Sequence, residues 1–323
     1  MAKTEKKGFF IYDGLWSFTK RDLDILQESF QMTSLEYRGK RDLPKLCNGV
    51  LSNDFNLSWF VLGYATSAVI LSKAFRKKSI VIAGGWDVIS MPELGYGNMR
   101  DKKRLKKTRY ALRNADAVIA VSKSMRRDVL RWVDRDVELV YHGFDPEEFK
   151  PCGEKENLII TVAEITEGTI NLKGLKTFAR AARLMPECTF AIIGGHDADS
   201  MKSLKSMSPD NLKFPGYLPH DSLLEYYRKA KVYAQLSYQE SFGCALAEAM
   251  LCECVPVATE KGALPEVVGD TGFYVRYGDS DDTAEKLRRA IASDSGKRAR
   301  KRIINEFPLE KRKRELIRIV EEL

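Results

Sequence analysis

Short apolar runs alternate with stretches of helical periodicity along the chain, and this alternation constrains the fold more than any other feature of its 323 residues. Residues 9–13, 57–62, 79–83 and 115–122 read as strands, and 20–30, 65–74 and 123–132 as helices, with Ser122 placed to cap the last. A strand, a crossover helix and a second strand pack as a parallel pair with the helix across one face. Repetition of that unit implies parallel sheets covered by helices on both sides. A polar stretch at 150–157, containing Pro151 and Gly153, interrupts the pattern before it resumes at Leu158-Ile159-Ile160-Thr161-Val162. The expectation is an α/β chain with domains at 1–150 and 151–305, followed by a helix at 306–323 that packs back toward the first.

Two glutamates stand eight residues apart in Gln239-Glu240-Ser241-Phe242-Gly243-Cys244-Ala245-Leu246-Ala247-Glu248-Ala249-Met250, where loop chemistry gives way to a helix-forming run. With the apolar stretch 230–236 ahead of it, the segment reads as strand, Ser/Gly turn, helix. Gly243 lets the backbone approach a ligand, and the first-turn amides of such a helix, through Leu246, are donors at the positive end of its dipole. Glu240 would project from the loop at the carboxyl end of the strand, where open α/β sheets place ligands, and Glu248 from the helix. One carboxylate for a sugar, amides for a diphosphate and one carboxylate for a ribose describe a nucleotide-sugar site. A surface Glu beside a half-buried one, with no ligand, fits the spacing equally well.

Downstream come Cys254-Val255-Pro256-Val257-Ala258-Thr259, Gly262-Ala263-Leu264-Pro265-Glu266-Val267-Val268 and Gly269-Asp270-Thr271-Gly272-Phe273-Tyr274-Val275. From about Ala115 to the end, this ordered succession resembles the retaining family-4 glycosyltransferases (glycosyl transferases group 1). The resemblance implies the GT-B fold, two Rossmann-like doubly wound domains facing a central cleft, and transfer of a sugar from a nucleotide diphosphosugar without cofactor or metal. It assigns Glu240 to the transferred sugar, Glu248 to the ribose, and Ser241, Phe242, Gly243 and Leu246 to the donor. Lys173, in Lys173-Gly174, is the cation for the diphosphate. Gly194 and Gly195 face the nucleotide, and Tyr217 and Leu218 lie along its base.

The chain departs from the family in places. Glu164 stands where an Arg is usual, followed by a longer loop at 165–172, and His142 stands in an Asn place. In the first domain Gly14-Leu15-Trp16-Ser17-Phe18-Thr19 replaces the Gly-rich donor loop, offering Trp16, Ser17 and Thr19 on the acceptor side. Asp87, in Gly84-Gly85-Trp86-Asp87, is either an acceptor-side base or orienter, or a turn residue capping the next helix. Asp197-Ala198-Asp199 has the form of a metal pair, but the family resemblance calls for no metal.

The net charge of +8 lies entirely within residues 1–150, densest from Arg100 to Arg113 and again at Lys73, Arg76, Lys77 and Lys78. Few acids accompany these runs, which suits a phosphate-bearing partner or an anionic membrane surface as well as a solvated helix face. Nucleic acid is the less favoured partner, because the basic runs lack interleaved aromatics. A GT-B epimerase or phosphorylase is the alternative within enzymes. The six cysteines lack zinc-site spacing and read as reduced structural thiols. No apolar run reaches the roughly 20 residues of a membrane span and residues 1–7 are polar, so the expected location is cytoplasmic, with peripheral attachment at the inner face of the membrane in view.

Overall fold

The computed structural model describes residues 6–323, and the chain divides into two compact units. The first holds the residues up to Gly143 together with Leu309–Leu323; the second is Phe144–Pro308. The first sheet contains β1 (Lys7–Tyr12), β2 (Gln31–Glu36), β3 (Phe55–Trp59), β4 (Lys78–Ala83), β5 (Ala117–Ala120) and β6 (Glu138–Leu139), in the order β2-β1-β3-β4-β5-β6. The second contains β7 (Glu156–Val162), β8 (Thr189–Ile193), β9 (Leu212–Gly216), β10 (Ala230–Gln235), β11 (Val255–Thr259) and β12 (Phe273–Val275), in the order β12-β11-β10-β7-β8-β9. Every pairing is parallel. Central strands such as Leu57 within β3 or Ile159-Ile160 within β7 are buried on both faces, hence their continuous apolar runs.

In each sheet the crossovers reverse direction once. β1 pairs with β2 on one side and β3 on the other, and β7 with β8 and β10. Helices that leave a strand pair on opposite faces open a crevice at the carboxyl ends of those strands. In the second unit that crevice lies between β7 and β10.

Three expectations about boundaries are corrected. Strand β2 and the helix Leu43–Ser52 were not anticipated, because β2 is a half-exposed edge whose residues QMTSLE lack an apolar run. The first break falls at Gly143 rather than Lys150, because Phe144 and Phe149 belong to the second unit's interior. Phe144 stacks on Phe242 at 5.9 Å, and the Phe149 carbonyl accepts from Arg300 at 2.9 Å. The second break follows Pro308, which bridges to Phe144.

The helix Leu309–Glu321 packs into the first unit through Leu316, Ile319 and Val320. Arg312 anchors it. Its guanidinium is fully buried and makes a bidentate pair with Asp22 at 2.5 and 2.6 Å, while also donating to the carbonyls of Val140 and Tyr141. Asp22 accepts a third bond, from the Trp59 indole at 2.7 Å.

Candidate functional site

Lys173 and Glu240 lie 67 residues apart in sequence and meet at the β7/β10 crevice as an ion pair. Lys173 follows β7 and Glu240 follows β10. The Glu240 carboxylate is nearly buried, and its Oε1 accepts from Lys173 Nζ, from Gln235 Nε2 at 2.8 Å and from Ser237 Oγ at 2.9 Å. Gln235 Nε2 also reaches Ser237 Oγ at 2.8 Å, so the three donors form one cluster around a single oxygen. Three donors on one carboxylate oxygen fix its rotamer, and Oε2 is left with no partner among the described residues.

The segment expected to be a loop at 165–172 contains the helix Glu167–Leu172. Its start is latched by Thr169, whose hydroxyl accepts the Thr166 amide at 2.9 Å and donates to the Glu164 carbonyl at 2.5 Å. This short helix ends at Lys173, and Gly174 turns the chain with φ near 66°. A Cβ at Gly174 would lie 2.3 Å from the Leu236 carbonyl oxygen, so only glycine lets the Lys173 turn sit against the end of β10. Glu164, in the place of the family's Arg, is exposed, and its carbonyl is the part that the latch uses.

The helix Cys244–Leu251 begins after Gly243, at φ 98°, with no side-chain cap and no acid in its first turn. Its start is therefore electropositive. Glu248, buried one turn in, takes a hydrogen bond from Tyr227 at 3.2 Å. Burial, then the charge of Glu248, holds the Tyr227 hydroxyl well above its ordinary value, so it donates at neutral pH. Phe242 and Leu246 are interior residues: Phe242 packs between Phe144 and Phe307. Their side chains hold the turn, while Ser241 is half-buried within it. Gly194 and Gly195 follow β8, with open space beside Gly195. Tyr217 is 79% exposed beyond β9, next to half-buried Leu218. Asp197 caps the helix Ala198–Ser206 by accepting the Ser200 amide at 2.8 Å.

In the first unit, the helix that was expected from Lys20 starts at Ser17. Trp16 and Ser17 are exposed, but Thr19 is fully buried, one turn of helix having rotated it inward. Its hydroxyl does not reach solvent, which corrects its place among acceptor-side groups. Asp87 is also fully buried: it accepts the amides of Val61 at 2.8 Å, Gly85 at 2.7 Å and Gly84 at 3.4 Å. Burial, partly offset by these amides, raises it to about 6. Both oxygens are occupied, which is the geometry of a loop clamp, not of a base facing an acceptor. His142 stacks on Trp59, and burial together with Arg312 and Arg21 pushes it well below its ordinary value, so it is neutral.

Sequence reasoning missed Gln235, Ser237 and Tyr227. A signal exists for the first: a Gln ending an otherwise apolar strand is a buried polar group that needs a partner. Tyr227 carries none, since its partner is on another helix.

Residues 145–307 match the family model for glycosyl transferases group 1, and residues 59–148 that for glycosyltransferase family 4. The chain is 25% identical over 229 residues to N-acetyl-alpha-D-glucosaminyl L-malate synthase of Bacillus anthracis, covering 63% of this chain and 58% of that protein. It is 29% identical over 236 residues to alpha-maltose-1-phosphate synthase of Mycolicibacterium smegmatis, covering 62% and 61%. The chain thus spans about 60% of the length of these curated relatives. Among solved structures, sucrose-phosphate synthase of Thermosynechococcus elongatus superposes with a TM-score of 0.80 over 98% of this chain and 99% of that one, at 17% identity. Anabaena HepE in complex with UDP and glucose superposes with a TM-score of 0.76 over 99% and 100%, also at 17%. At such identities the likeness establishes the fold, and that fold is GT-B.

Proposed function

Because the chain belongs to the glycosyl transferases group 1 family, we propose that it is a retaining glycosyltransferase that moves a sugar from a nucleotide diphosphosugar to an acceptor hydroxyl, without cofactor or metal. The observation that carries this reading is the Lys173–Glu240 pair at the β7/β10 crevice, with Glu248 on the helix beyond it. In the reaction the bond from the anomeric carbon to the diphosphate breaks, a bond to the acceptor oxygen forms, and the acceptor proton is released. Negative charge grows on the leaving diphosphate. Lys173 would exchange Glu240 for that diphosphate, assisted by the electropositive start of the helix Cys244–Leu251. The Oε2 of Glu240 suits a sugar hydroxyl and Glu248 a ribose. Tyr227, Gln235 and Ser237 act as positioning residues.

UDP is the first donor base to try, since HepE was solved with it. We place the acceptor on the first unit and favour one at an anionic membrane surface or bearing a lipid phosphate, with the chain cytoplasmic and peripheral. The helix Lys102–Asn114 supports this: Lys102, Lys103, Arg104, Lys106 and Lys107 are exposed and form no ion pair among the described residues. No helix among those residues is long and apolar enough to cross a membrane.

Thermal unfolding with UDP, GDP and ADP tests the donor reading, since a ligand of the native state raises its stability by mass action. One nucleoside diphosphate should raise the midpoint in wild type and raise it much less in Glu248→Gln. No shift from any of the three would overturn it.

A further inference from the structure

The first unit contains a cavity of 360 Å³ that the donor site does not use. Leu62 and Gly63, at the start of the helix Gly63–Ala74, line it with Trp86 from the turn after β4 and with Arg104 and Lys107, three residues apart on the helix Lys102–Asn114. Asn98 and Thr108, both buried and 3.2 Å apart, complete the lining. No acid is among these residues.

Three observations converge on an anionic ligand. The Arg104 and Lys107 head groups form no ion pair among the described residues, and the nearby acid, Asp101, already accepts the Lys103 and Arg104 amides. The helix Gly63–Ala74 starts with no side-chain cap and no acid in its first turn, and the amides of Gly63, Tyr64 and Ala65 have no acceptor among the described residues. A Cβ built on Gly63, the residue of that turn that lines the cavity, would meet nothing within 4 Å, so the space beside Gly63 is open. Finally, Trp86 is 37% exposed, with the Arg104 guanidinium 5.9 Å from its ring centroid, presenting a flat wall beside the two cations. Two cations and free helix-start amides suit a phosphate, and the indole suits the ring of a sugar or cyclic polyol.

We propose that this cavity seats a phosphate ester of a sugar or cyclic polyol, the phosphate on Arg104, Lys107 and the amides, the ring against Trp86. Its meaning rests on the glycosyltransferase reading, because such a ligand on the first unit would be the acceptor.

Calorimetric titration of the full chain with glucose 6-phosphate, glucose and inorganic phosphate tests this, together with sedimentation on phosphatidylcholine vesicles with and without phosphatidylinositol. Glucose 6-phosphate should bind at least about tenfold more tightly than glucose, the scale of charge-assisted contacts. Arg104→Gln with Lys107→Gln should weaken it about tenfold or more, and Trp86→Leu several-fold. An equal charge change elsewhere on the unit, Arg126→Gln with Arg127→Gln, should alter it less than about threefold. All five side chains are exposed or half-exposed, so folding is not at stake. Retention on phosphatidylinositol vesicles that the cavity variants abolish, without binding of free glucose 6-phosphate, assigns the phosphate to a lipid headgroup. Equal loss in the cavity and control variants, or no binding of either source, overturns the inference. Titrations with UDP, GDP and ADP separate the two readings: a nucleoside diphosphate bound with no phosphate ester bound sinks this inference alone, and the converse sinks the donor reading alone.

Discussion

Glu240 faces two demands at once, since Oε1 is saturated by three donors while Oε2 is free to meet a ligand. Removing its charge should therefore leave donor binding intact and harm turnover. Glu240→Gln is expected to keep or raise nucleoside-diphosphate affinity, because Lys173 loses its competitor, while turnover falls at least about tenfold; Lys173→Ala should cost roughly tenfold in diphosphate affinity and leave the nucleoside unaffected. Calorimetry with nucleoside and nucleoside diphosphate, paired with a turnover assay, checks both, and identical diphosphate affinity in wild type and Lys173→Ala would refute the assignment. Asp87 makes a pH prediction. Its folded value, about 6, lies above the unfolded 3.8, so the native state holds the proton more tightly and this group's stabilisation is complete at low pH. It is lost as pH rises from about 4 to about 6, by about 3 kcal/mol in all. Thermal midpoints of wild type relative to Asp87→Asn should fall between pH 4.5 and pH 7, and parallel curves would contradict the burial described.

The helix Glu167–Leu172 is only six residues long and owes its existence to the Thr169 latch more than to propensity. It matters because Lys173 sits at its end. Thr169→Val keeps the shape and removes the hydroxyl. The loss should be about 1 kcal/mol of stability, typical of an N-terminal cap, together with a several-fold drop in diphosphate affinity as the Lys173 turn loosens. Thermal unfolding and calorimetry on the same sample separate the two effects. Loss of stability with unchanged affinity would mean that Gly174, packed against the end of β10, holds Lys173 by itself.

At the scale of the whole chain, the first unit is completed by residues from both ends of the sequence. Asp22 and Arg312 are 290 residues apart and neither side chain is exposed. An ion pair this deep gains little over an apolar pair of the same shape, but breaking it strands a charge. Arg312→Met should destabilise the first unit by about 3–5 kcal/mol, and Asp22→Leu combined with Arg312→Met should recover part of that loss, less the cost of leaving the Trp59 indole without its acceptor. Thermal unfolding of both variants decides it: a single variant as stable as wild type would show that the terminal helix is held by its apolar face alone.

What the sequence by itself determined is local. Periodicity over a few residues announced buried strands and crossover helices, and hence parallel sheets. The strand–turn–helix around Glu240 and Glu248 was legible because it is one contiguous supersecondary unit whose chemistry lies within a dozen residues, whereas Lys173-Gly174 stood out only through the family resemblance. Partnership was decided only by the tertiary structure. Lys173 reaches Glu240 because β7 and β10 are neighbours across a reversal of strand order, which no local pattern encodes. Thr19 turned inward because its helix began three residues early, and a rotation of about 100° per residue exchanges core and solvent faces. The polar edge β2 escaped notice because it buries too little apolar surface to leave a pattern, yet it pairs along its whole length with β1, whose backbone supplied the missing partners.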